Sequence, residues 1–102
     1  MNFSVRRDDR HRIAADIRVT TTAGAAIALT LIDLSRSGIG TDGLVQFDAG
    51  TALHVLFPDG TILAGRSMWR EDFSAGILFD EPLDPAALTA LLAALTRTPV
   101  FR

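Results

Sequence analysis

Two short groups of residues carry whatever chemistry this chain performs. The first is Val-Arg-Arg-Asp-Asp-Arg-His-Arg at positions 5–12, which places Arg6, Arg7, Arg10 and Arg12 within eight residues of a chain whose formal net charge is -2. The second is Asp-Leu-Ser-Arg-Ser-Gly, in which Asp33, Ser35 and Gly38 stand in Asp-x-Ser-x-x-Gly spacing. Guanidinium forks grip phosphate oxygens two bonds at a time and stack on flat rings. A carboxylate and a hydroxyl on either side of a turn can accept and donate bonds to a ligand, or simply close the turn on its own backbone. The arginines likewise have a plain reading, a solvated cluster paired with Asp8 and Asp9, which would contribute little.

These groups need elements to hold them. The length of 102 residues suits one domain, and a hydrophobic content of 48% is enough for a packed core and argues against global disorder. Residues 15–22 alternate, with Ile17 and Val19 on one face, and read as a strand; residues 27–35 put Ile27, Leu29 and Leu31 on one face and read as a second. Three glycines in residues 37–43 suggest a short strand with loop or bulge geometry around it. Residues 51–57 and 61–70 are strands joined by Pro-Asp-Gly, and residues 74–80 return after a turn at 71–73. The period then changes. Asp84 caps and Pro85 opens a helix over 84–97, whose apolar stripe is Leu88, Leu91, Leu92 and Leu95. Its other face, through Ala86, Ala90, Ala93 and Ala94, carries no charge, which fits burial on two sides, an alanine-rich composition, or a partner surface. So many short strands are best protected by closure, so the expected fold is mainly β: a six-stranded antiparallel barrel with a C-terminal α-helix.

Both groups, in this order, resemble the two ligand-binding motifs of the PilZ-domain family, Arg-x-x-x-Arg and Asp/Asn-x-Ser-x-x-Gly. The resemblance extends over nearly the whole chain. The stretch 11–19 has the family's spacing between the arginines and the first strand, Gly50-Thr51 stands before a strand as in the family, and Gly76 and Phe79 match its late Gly-x-x-Phe. The resemblance implies an N-terminal arm over 1–12, a barrel domain over 13–102, and a non-catalytic bacterial receptor for the second messenger cyclic di-GMP. It assigns ligand binding to Arg6, Arg7, Arg10, Asp33, Ser35 and Gly38. Cyclic di-GMP offers two phosphates and two guanines. Arginine matches phosphate oxygens and the guanine O6/N7 edge, and Asp33 is suited to accept from guanine N1–H and N2–H₂. Arg36 adds charge nearby, whereas Asp8 and Asp9 offset it. The arm is expected to close over the ligand and remodel the surface for a downstream protein. A PilZ-like adaptor that binds a protein without nucleotide is the alternative.

Other classes fit less well. Single-stranded nucleic acid needs a basic groove with stacking aromatics; here tyrosine is absent and Phe47, Phe57, Phe73 and Phe79 fall at expected core positions, so no nucleic-acid polymer is anticipated. Asp33, Ser35 and His54 supply hydrolase residue types without a nucleophile elbow, so no catalytic residues and no enzyme are expected. With no cysteine, and only His11 and His54 as histidines, no metal site and no cofactor are implied. No apolar run reaches the ~18 residues of a membrane span, and residues 1–10 lack a signal peptide's apolar core. A cytoplasmic location is therefore the expectation. Trp69, the only tryptophan, is expected to pack on the barrel or fill its core.

Overall fold

A computed structural model describes residues 10–97. Six strands, β1 (His11–Thr21), β2 (Ala26–Leu34), β3 (Gly38–Asp42), β4 (Ala52–Leu56), β5 (Ile62–Glu71) and β6 (Ser74–Phe79), precede one helix, α1 (Pro85–Arg97). All strand pairs are antiparallel, and the order β1-β2-β3-β6-β5-β4 closes through β1 pairing with β4. The fold is the expected six-stranded barrel with a C-terminal helix.

Alternation decides the interior. Ile17, Val19, Ile27, Leu29, Leu31, Ile39, Leu53, Val55, Ala75, Ile77 and Phe79 point inward and are buried, as a period of two requires when one face meets a core. The turn at Pro58-Asp59-Gly60 forms as its residues dictate. Gly60 takes φ +95, and the Phe57 carbonyl accepts from the Gly60 N–H at 2.9 Å while the Phe57 N–H donates to Thr61 at 2.8 Å. The Ala87 N–H donates to Asp84 Oδ1 at 2.7 Å, so Asp84 caps α1. Leu88, Leu91 and Leu95 join the barrel core, each contributing about 1.5–3 kcal/mol by burial.

Three expectations need correction. β1 begins at His11, four residues earlier than the alternation suggested, because His11 and Arg12 pair with Leu34 and Asp33 across a register shift. Only Arg10 of the expected arm is therefore both described and outside the barrel; Arg6 and Arg7 lie outside the described residues. Phe73 is 67% exposed rather than in the core. It sits in the β5–β6 turn, where strand alternation no longer applies. The second face of α1 is not buried either: Ala86, Ala90 and Ala93 are exposed.

Candidate functional site

Strand register carries residues from both sequence groups onto one outer surface. Arg12 pairs with Asp33, Asp33 with Gly40, Gly40 with Gly76, and Gly76 with Trp69. These five form a rank across β1, β2, β3, β6 and β5, roughly 19 Å long at ~4.8 Å per strand. Arg10 reaches the same place: its Nη1 donates to Asp33 Oδ1 at 2.7 Å. Among the described residues no other group bonds to that carboxylate, so Oδ2 keeps its lone pairs.

The middle of the rank is glycine, and side chains from neighbouring strands lie over it. A Cβ on Gly40 would stand 3.0 Å from both oxygens of Asp33, so the carboxylate lies over that residue. A Cβ on Gly76 would collide with the indole of Trp69, whose ring covers it from β5. Trp69 thus packs on the outside of the barrel, half-exposed. Both glycines are buried beneath these side chains, so the rank presents the Asp33 carboxylate on one side and the Trp69 indole on the other.

The three register shifts in the sheet all abut this rank. They fall between Arg12 and Ala15 in β1, between Leu31 and Asp33 in β2, and between Ser67 and Trp69 in β5. Without them, strict alternation would send Asp33 inward after Leu31, and Trp69 inward after Ser67. The shifts in β2 and β5 each re-aim one side chain outward, a use of bulges that recurs beside binding sites.

Ser35 and Gly38 do different work. Ser35 is buried at 2% exposure. Its Oγ accepts from the backbone N–H groups of Ser37 and Gly38, both at 3.3 Å, and lies 3.3 Å from the Gly38 carbonyl as a donor. Gly38 has no positive φ. A side chain there would instead run into the Ile77 carbonyl on β6, which occupies the Cβ position. Both residues therefore build the turn 35–38. Arg36 extends from it and is tied to Leu83, with its Nε donating to the Leu83 carbonyl at 2.7 Å.

Charge divides the surface. On one side of the rank stand Arg36 and, on β5, Arg66. On the other, Asp16, Thr30, Asp42, Ser74 and Glu71 follow one another in register. An anionic ligand on the rank would be drawn toward Arg10 and Arg12 and repelled from the Asp16–Glu71 side. His54 is exposed on β4, and the Ser35 hydroxyl bonds within its own turn rather than to a histidine.

Sequence reasoning did not single out Gly40. The signal was present: Gly38 and Gly40 are two apart in one strand, so both vacate the same outer face. Trp69 was visible, but only the shift in β5 reveals which way it points. No family model matches the chain, and no curated protein matches it either.

Proposed function

We propose that this chain is a non-catalytic receptor for cyclic di-GMP, of the PilZ kind that its two motifs resemble. The observation that carries the reading is the meeting of Arg10 and Asp33, 23 positions apart in sequence, at 2.7 Å on the outer wall. They stand on one side of a rank whose far side is Trp69, with the carboxylate seated over Gly40 and the indole over Gly76. A guanine lying over that rank would offer N1–H and N2–H₂ to Asp33 and a ring face toward Trp69. The phosphates would be gripped by Arg10 with Arg6 and Arg7 from the arm. Ser35 and Gly38 act by fixing the turn that follows Asp33. Ordering an arm costs roughly 1–2 kcal/mol per residue, which several charge-assisted bonds of about 1.5–3 kcal/mol each offset.

Calorimetric titration of the full chain with cyclic di-GMP tests this. Binding at micromolar ligand is expected, with affinity lost in Arg10→Ala and in Asp33→Ala and with cyclic di-AMP much weaker. No heat from a folded chain would remove the receptor reading. The alternative, an adaptor that binds a protein without nucleotide, is favoured by one observation, the uncharged exposed face of α1 at Ala86, Ala90 and Ala93.

A further inference from the structure

Beside the turn 35–38 the surface opens into a groove of about 460 Å³ between β5, the loop 80–84 and the start of α1. Ile62, Ala64, Pro82, Leu83 and Ala87 make it apolar, and Asp80, Glu81 and Asp84 supply an acidic rim. Ile62 is 62% exposed, so the floor is open. Asp84 is engaged as the helix cap. Asp80 and Glu81 have no cation: among the described residues, the one ion pair is that of Arg10 with Asp33. Arg36, which borders the groove, and Arg66 on β5 donate to the carbonyls of Leu83 and Gly50 and form no ion pair with either acid. An apolar floor whose rim holds two acids without an ion-pair partner among the described residues is complementary to a segment that is both apolar and cationic.

The groove is also bonded to the candidate site. The Leu83 N–H donates to the Arg36 carbonyl at 2.8 Å while the Arg36 side chain returns a bond to Leu83. Arg36 is three residues from Asp33, and His11 pairs with Leu34. The chain that precedes Arg10 therefore joins the barrel close to one edge of the groove. That chain reads Met-Asn-Phe-Ser-Val-Arg-Arg-Asp-Asp. Its residues 3–7 hold Phe3, Val5, Arg6 and Arg7, the composition that the groove complements, and nine residues span up to about 30 Å when extended.

We propose that residues 3–7 dock in this groove when no ligand is bound, with Phe3 and Val5 toward Ile62 and Leu83 and the two arginines toward Asp80 and Glu81. Docking withholds Arg6 and Arg7 from the outer rank. A dianionic ligand on that rank draws them across and uncovers the groove. The docking stands independently of the ligand's identity; its release by cyclic di-GMP rests on the function proposed above.

The chain has no cysteine, so a nitroxide on Ser4→Cys reports from one position. In the full chain, amide signals of residues 62–64 and 80–87 should lose intensity several-fold more than those of Thr30 and Asp42. Asp80→Arg with Glu81→Arg should abolish that difference. Even broadening, or broadening centred on Trp69, would overturn the docking. So would broadening passed from a labelled chain to a second, isotope-labelled one, which would make the contact intermolecular. Saturating cyclic di-GMP should restore the signals. If calorimetry records binding while the signals stay broadened, the release is wrong and the docking survives. If calorimetry records no binding, the ligand reading and its release fall together, and the docking is judged on the ligand-free spectra alone.

Discussion

The turn 35–38 and the rank from Arg10 to Trp69 are neighbours in space and share one sequence motif, yet they are built in opposite ways. In the turn, polar groups are consumed locally: the Ser35 hydroxyl is buried and bonded to backbone, and the Cβ position of Gly38 is filled by Ile77. In the rank, capacity is left over: among the described residues one oxygen of Asp33 has no partner, and the Trp69 indole is half-exposed. A motif of one carboxylate, one hydroxyl and one glycine thus divides into a residue that faces outward and two that hold it there. Buried polar groups with full partners rigidify, whereas spare valence at a surface is what a ligand can use.

That contrast can be broken most severely at Gly38. Gly38→Val forces a side chain into the β3–β6 backbone contact and is expected to cost about 3 kcal/mol or more. Thermal unfolding followed by circular dichroism should fall by roughly 12 °C or more. A melting point within a few degrees of the parent would mean that the strands separate easily and that the glycine serves something else.

Arg10→Ala and Asp33→Ala are the mirror case. Each should weaken cyclic di-GMP at least tenfold, about 1.4 kcal/mol, while denaturant unfolding changes by less than about 1 kcal/mol, because the pair is largely solvated. The double variant should lose less than the sum of the two, since the side chains act together.

Ser35→Ala should separate the two regions further. It leaves buried N–H groups without their acceptor, so stability should drop by about 1–2 kcal/mol. At temperatures where the variant is folded, affinity should stay within about threefold of the parent. A tenfold loss of affinity with unchanged stability would move Ser35 from scaffold to ligand contact.

The smallest expected effect is at the far wall. Trp69→Ala removes a stacking surface worth about 1–3 kcal/mol per base, and the lower end applies to a half-exposed ring. A loss of about fivefold in a titration is the expected outcome. In the parent chain, the fluorescence of this single tryptophan should change on ligand addition; an unchanged spectrum at saturation would take it out of the site.

Much of this fold was legible in the sequence because alternation and turn chemistry agree along the chain. Ile17 to Val19, Leu53 to Phe57 and the capped helix at Asp84 each follow from local pattern alone. What alternation cannot give is a change of parity. Asp33 and Trp69 face outward because β2 and β5 each insert an extra residue against a partner strand, and that depends on pairing between segments distant in sequence. Phe73 was misplaced for a related reason, since the hairpin ends at Glu71 and the phenyl ring belongs to the turn. The pairing of the two motifs was readable as a resemblance. The seating of Asp33 over Gly40 and of Trp69 over Gly76 was not, because it exists only once the two glycines lie side by side.

The most direct test of the central claim is an amide-shift titration of the full chain with cyclic di-GMP. Saturable shifts are expected at Asp33, Gly40 and Gly76 and at the Trp69 indole N–H, with little change along β4. Shifts confined to β4 or α1, or none at millimolar ligand from a well-folded chain, would contradict the claim.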